Sequence, residues 1–338
     1  MRILLFKIGA IGDTLMTTPL VRQLRKNYPK AKIDYLIGNI ASQVLEENPN
    51  INKIVKFDEN IFFKKKILQW RDLIKKIKQN NYDVVFVLDK HWIFNLTAKL
   101  FGIKERIGFD RMGKEGIFLT KKVHYESEKH EIFYYLDLLY LFCKNVNYSD
   151  TKIDIFIEKN DEKFAQKYFH NNFKTGKVIC IALGGGVNVG QISISKRWSE
   201  EKYSELVTSL LSNNYEVLLI GGSLDRQLVE RIRKKSKAKA IISKNISKAA
   251  ALLKMAYAVV CNDGGLMHIS ASVNERVISI FGPTDPKRFA PLGKKCKYLW
   301  KPGKCCPSND IYGKFHQCKE NCIEKIKVKD VIDVIKKY

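Results

Sequence analysis

The chain has 338 residues, 45% hydrophobic and 28% charged, which is folded-protein composition and, at roughly 150 residues per domain, enough for about two domains with separate cores. A single disulfide-stapled module is excluded by length, and wholesale disorder by 18 Phe and 15 Tyr. Sixty Lys and Arg against 35 Asp and Glu leave +25, so anionic partners are expected, although part of the excess reflects a general bias toward Lys, Ile and Asn.

Short β-branched runs alternate with segments of helical period, the pattern of parallel sheets with crossover helices. In the first half, strands are predicted over 2–8, 32–37, 53–57 and 83–88, and helices over 14–27, about 64–80 and 131–143. The polar stretch 145–177, broken at Asn147-Tyr148-Ser149-Asp150 and Asn171-Asn172 around a helical piece at 161–169, is read as the domain connection. The pattern then restarts, with strands over 178–183, 216–220, 240–242, 258–261 and 277–281. Helices follow over 199–212, 226–235, 247–255, 266–273 and 327–336. The predicted architecture is α/β, two doubly wound parallel-sheet domains over 1–165 and 175–325, followed by a terminal helix over 326–338. No run approaches the roughly 20 apolar residues of a membrane span, and the opening strand runs straight into a glycine turn rather than a cleavage site, so a cytoplasmic location is expected.

Chemistry-bearing residues gather at strand ends. Lys7-Ile8-Gly9-Ala10-Ile11-Gly12-Asp13-Thr14 follows the first strand and opens a helix. Glycines there permit a sharp turn, and the helix amides can hold a polar ligand. The segment lacks the third glycine of a dinucleotide fingerprint and the Gly-Lys-Ser/Thr of a P-loop. Asp13 reads locally first as a helix cap, and in the functional alternative as a carboxylate placed to deprotonate a hydroxyl. Leu183-Gly184-Gly185-Gly186, with the later Ser195-Lys196-Arg197-Trp198-Ser199, suits a diphosphate: converging amides, two cations, a helix start at Ser199 and Trp198 as a packing anchor. The alternative is a flexible loop with solvated cations.

Cys261-Asn262-Asp263-Gly264-Gly265-Leu266-Met267-His268 repeats the strand, turn, helix arrangement, and Asp263 and His268 bracket the turn. Phe281-Gly282-Pro283-Thr284-Asp285-Pro286 is a stiff exit turn. Asp225, after Gly221-Gly222, is either a helix cap or a hydrogen-bond acceptor for a ribose. Cys305, Cys306, Cys318, Cys322 and His316 are enough ligands for zinc, but paired Cys-x2-Cys knuckles are absent, so no metal site is assigned. Three other cysteines, Cys143, Cys180 and Cys261, sit in apolar segments and read as core thiols.

Taken together and in this order, Arg2-Ile3-Leu4 through Gly12-Asp13-Thr14-Leu15 with Thr18-Pro19-Leu20, then Lys196-Arg197-Trp198, then 263–268 and 281–286, resemble glycosyltransferase family 9, the bacterial heptosyltransferases, over almost the whole length. The resemblance implies a GT-B architecture, two Rossmann-like domains facing across a cleft, and inverting transfer without a metal or other cofactor. The implied donor is ADP-heptose and the implied acceptor a lipopolysaccharide core of the lipid A-Kdo type. It places acceptor binding in the N-terminal domain, with Gly9, Ala10 and Gly12 beside the general base Asp13. Donor binding falls to Gly184, Gly185, Gly186, Lys196, Asp225, Asp263, Gly264, Gly265 and His268. Departures from the family pattern are Gly265-Leu266, where a Thr/Ser-Gly-Pro-like turn is common, and a long loop before Lys196. Another nucleotide sugar on another surface glycan, or a sugar-nucleotide epimerase of similar architecture, are the alternatives. The basic surface is expected to meet an anionic glycolipid and the inner membrane peripherally, with Phe62-Phe63-Lys64-Lys65-Lys66 and Lys90-His91-Trp92 as candidate contact segments. Nucleic acid is not expected, since no reading motif is present.

Overall fold

The computed structural model describes all residues except 112, 186, 189, 190, 193, 237 and 308–319, and describes 187, 188, 191, 192 and 194 by their backbone alone. Candidate Gly186, and Cys318 and His316, lie outside the described residues. The chain divides into Met1–Asp154 and Ile155–Tyr338.

The first unit holds six strands, β1 (Arg2–Lys7), β2 (Lys32–Gly38), β3 (Lys53–Phe57), β4 (Val84–Val87), β5 (Glu105–Arg111) and β6 (Lys121–Tyr125), in the order β3-β2-β1-β4-β5-β6. Every neighbouring pair is parallel. β1 and β4 are central and covered on both faces, hence their unbroken apolar runs. On one side Leu4, Phe6, Val85 and Val87 pack with Phe94, Phe101 and Leu73. Phe6 alone meets the rings of Phe57, Phe62, Phe94 and Phe101.

The predicted strands over 2–8, 32–37, 53–57 and 83–88 are present. β5 and β6 are additional, and their sequences explain why: β6 lies at the sheet edge and opens with exposed Lys121-Lys122, while β5 holds Asp110 and Arg111 buried in ion pairs with Lys122 and Glu115, so neither shows an unbroken apolar run. The predicted helix over 14–27 is two helices, Ile11–Leu15 and Thr18–Asn27, because Pro19 falls in the first turn of the second and cannot continue the first.

The second unit repeats the plan: β7 (Val178–Ala182), β8 (Glu216–Gly221), β9 (Lys239–Ile242), β10 (Ala258–Asn262), β11 (Val277–Phe281) and β12 (Lys297–Trp300), in the order β9-β8-β7-β10-β11-β12, all parallel. Both sheets thus have the doubly wound order, with a reversal point between the first and fourth strands where ligands collect at the carboxyl ends. The core joins Ile179, Ile181, Val260 and Ile280 to Leu206 and Leu210 of the helix Glu200–Ser212 and to Val331 and Ile335 of the last helix. The division at Asp154 differs from the predicted boundary at 165. The helix Lys159–Asn172 belongs to the second unit, where Lys254 pairs with Glu162 and the Glu158 amide donates to Ser247. The last helix, Val328–Ile335, is likewise part of the second unit's core rather than an appendage.

Candidate active site

In the first unit the site is built at the carboxyl ends of β1 and β4. β1 ends in Lys7, which is buried although charged, and its ammonium pairs with Asp89 at 3.2 Å. Asp89 also accepts from the Ile8 amide, so one carboxylate ties the ends of both strands. Gly9 then turns with φ +138°, a conformation that excludes ordinary side chains, and its Cβ position lies 3.1 Å from that of Ala41. Ala10 occupies the N-cap of the helix Ile11–Leu15. Asp13 sits inside the first turn and caps nothing; among the described residues its carboxylate makes no hydrogen bond or ion pair. The capping alternative for Asp13 therefore falls away.

Near it lies Lys90, offered by the sequence as part of a surface contact segment but turned largely inward here with its side chain 21% exposed, together with groups the sequence alone did not single out. Lys90 bonds Glu131 at 2.5 Å, lies over the Tyr125 ring at 4.4 Å, and Tyr125 in turn donates to Glu131. Burial works against both lysine charges. Asp89 together with Asp13 overrules it for Lys7, and Glu131 does so for Lys90, with Tyr125, Tyr135 and Asp13 adding to it; both ammoniums are held above the ordinary lysine range. Each lysine has its own carboxylate partner, and both also feel Asp13. The sequence signal was Asp89-Lys90 directly after an apolar strand, a position at the ligand edge of the sheet.

In the second unit the carboxyl ends of β7 and β10 bring most of the predicted donor residues together. Lys196 meets Asp263 at 2.7 Å, both side chains largely buried. Burial alone pushes the Asp263 carboxyl up, but Lys196, then Thr284 and then His268 hold it below the usual carboxylate range. Arg197 donates to the Gly185 carbonyl at 2.7 Å and pairs with Asp225 at 3.0 Å. The second oxygen of Asp225 accepts from the Gly222 amide, so this buried residue caps its turn and orients Arg197 at once.

The glycines permit close approach. A Cβ on Gly264 would lie 3.2 Å from the Gly185 Cα, and one on Gly184 would lie 3.0 Å from Asp225 and 2.8 Å from Leu266. Gly265 opens the helix Gly265–Val273, which points its first amides into this region and carries buried His268 in its first turn. Three further residues hold the frame. Asn262 accepts from the Trp198 amide and the Tyr203 hydroxyl, and Glu324 accepts from the amide and hydroxyl of Ser199. Ser199 is the N-cap by position, but its side chain binds Glu324 instead of its own helix. Trp198 is buried and donates to the Ile326 carbonyl, as a packing anchor does. Nothing local in the sequence marks Glu324, which lies far along the chain.

Lys196, Arg197, abutting glycines and a helix start thus gather at the reversal point of a doubly wound unit, where such folds offer a place to an anionic ligand. The chain belongs to glycosyltransferase family 9 (heptosyltransferase), whose model matches residues 70–318. That stretch contains the second-unit site residues from Gly184 to His268; Asp13 precedes it and Glu324 follows it. Lipopolysaccharide heptosyltransferase 3 of Escherichia coli is 26% identical over 303 residues, 86% of each chain. Lipooligosaccharide heptosyltransferase 2 of Haemophilus influenzae is 26% identical over 314 residues, 88% of each. Among solved structures, the family 9 glycosyl transferase of Veillonella parvula matches with a TM-score of 0.81 at 21% identity, and E. coli ADP-heptose lps heptosyltransferase II with 0.78 at 20%. Both comparisons cover 100% of this chain and 98% of the other. The shared fold is GT-B, with two Rossmann-like units.

Proposed function

We propose that this glycosyltransferase moves a heptose from ADP-heptose to a lipopolysaccharide core acceptor with inversion at the anomeric carbon. The observation that carries the reading is the Lys196 ammonium, oriented by buried Asp263 beside the glycines and the start of the helix Gly265–Val273. As the sugar leaves, the nucleoside diphosphate gains negative charge. Lys196, Arg197 and the helix amides answer that charge more strongly in the transition state than in the bound donor, which is what accelerates the step. On the acceptor side Asp13 takes the proton of the attacking hydroxyl. Its carboxylate is free of capping duty, and the lysines that feel its charge are already matched by Asp89 and Glu131. The relatives named for lipopolysaccharide and lipooligosaccharide heptosyl transfer support heptose as the group moved and this class of acceptor.

The test is product analysis with ADP-, GDP- and UDP-sugars, each with and without a heptose-deficient lipopolysaccharide acceptor. The expected result is an acceptor-dependent product from ADP-heptose with inverted anomeric configuration by NMR. Donor turnover to an isomer without acceptor would instead indicate an epimerase.

The enzyme works, on this reading, peripherally at the cytoplasmic face of the inner membrane. Among the described residues no helix is long and apolar enough to cross a membrane. Support for surface contact comes from the segment that leads into and opens the helix Ile67–Lys78, where Phe63, Ile67 and Leu68 are exposed apolar side chains beside exposed Lys64 and Lys65. At about 1 kcal/mol per lysine near an anionic surface, Lys64→Ala/Lys65→Ala is expected to weaken binding to phosphatidylglycerol vesicles roughly thirtyfold, and Phe63→Ser/Leu68→Ser to weaken it further. Co-sedimentation measures this, and affinity unchanged in both variants removes the segment from the reading.

A further inference from the structure

The cysteines near the C-terminus do not have the spacing of a zinc knuckle, yet among the described residues the fold brings three of them to one point. Cys305 and Cys306 follow β12, and Cys322 opens the 3-10 turn Cys322–Lys325. Cys322 is 2% exposed. Its sulfur lies 3.7 Å from that of Cys305 and 2.9 Å from that of Cys306, while the two neighbouring sulfurs are 4.0 Å apart. Four-coordinate zinc with bonds of about 2.3 Å holds its sulfurs about 3.8 Å from one another, close to two of these separations. A disulfide would join two sulfurs at about 2.05 Å and leave the third thiol unused. The Gly303 amide also donates to the Cys322 sulfur at 3.2 Å, a contact that favours the thiolate.

We propose that Cys305, Cys306 and Cys322 bind a soft or borderline divalent cation, zinc by the chemistry of the ligands, as a structural clip on the second unit. Each thiol that binds gives its proton to solvent: three thiols and one Zn²⁺ yield a trithiolate complex of charge −1 and three protons. The clip fastens a part of the chain on which the donor site depends. After Cys322, Ile323 is fully buried in the core against Gly282, and Glu324 holds the amide and hydroxyl of Ser199, two residues beyond Arg197. Metal binding therefore steadies the Lys196-Arg197-Trp198 segment from behind without entering the transfer chemistry.

The test uses the full chain purified under reducing conditions without added metal or chelator. Mass-spectrometric metal analysis is expected to find about one zinc per chain. Cys306→Ser/Cys322→Ser is expected to lose it and melt at a lower temperature, whereas Cys296→Ser, outside the cluster, retains it. Replacing the ion with Co²⁺ in the wild-type chain is expected to produce thiolate-to-cobalt charge-transfer absorption, a readout that needs no variant to fold. The proposal is overturned by a chain that neither carries nor takes up stoichiometric metal. It is equally overturned by full retention in the double variant, or by a Cys306–Cys322 disulfide in the unreduced protein.

Discussion

Asp13→Asn is expected to leave the fold and donor affinity intact and to lower turnover by about two to four orders of magnitude, roughly 3 to 5 kcal/mol of transition-state stabilisation. The amide keeps the shape of the side chain and cannot accept the acceptor's proton. The fold should tolerate it because Asp13 makes no hydrogen bond among the described residues, while Lys7 and Lys90 keep their partners Asp89 and Glu131. Initial rates at saturating ADP-heptose and acceptor, with calorimetric titration of ADP-heptose, separate the two quantities. Turnover equal to wild type would remove Asp13 from the mechanism. A loss of donor affinity in parallel with turnover would make it a binding residue instead.

Lys196→Met is expected to damage binding and stability together, and the two losses can be separated. Removing the ammonium takes one cation from the diphosphate site and also strands a buried carboxylate, a change that costs about 3 kcal/mol or more. In Lys196→Met/Asp263→Asn the stranded charge is gone, so most of the melting temperature should return while donor affinity stays low. Recovery of donor affinity in the double variant would mean that Lys196 serves the fold rather than the ligand.

The pH dependence follows from the same pair. Asp263 is held below the ordinary carboxylate range, because Lys196, with Thr284 and His268 after it, outweighs the burial that opposes its charge. A group whose folded-state value is depressed contributes stability above its unfolded value, about 4, and that contribution is lost as pH falls through the folded value. Without Lys196 the same burial raises the carboxyl above its ordinary range, so the stability difference between wild type and Lys196→Met is expected to be largest at neutral pH and to shrink as pH falls from that raised value through the depressed one of the wild type, measured by denaturant melts across the acid range.

Much of this was already legible along the chain. Strands buried on both faces must be continuous apolar runs, so β1, β4, β7, β10 and β11 stood out, and the glycines and charged residues immediately after them marked the ligand edge. Three strands escaped that signature. β6 and β12 lie at sheet edges and open with exposed lysines, and β5, though flanked on both sides, carries Asp110 and Arg111 buried in ion pairs with Lys122 and Glu115, so charged residues interrupt its apolar run. Asp13 was ambiguous for a similar reason: helix caps and catalytic carboxylates occupy the same kind of position, and only the placement of Ala10 at the N-cap separates them.

Local patterning alone thus determined two doubly wound halves and the strand-end turns that carry their chemistry, because hydrophobic period and glycine placement act over a few residues. Only the tertiary structure decided which distant side chains meet. Asp89 on Lys7, Glu131 on Lys90, Asp263 on Lys196, Glu324 on Ser199 and the convergence of Cys305, Cys306 and Cys322 each join residues 16 or more positions apart. Such pairings are set by sheet order and by the need to match every buried charge with a partner, and neither leaves a mark in the spacing of the chain.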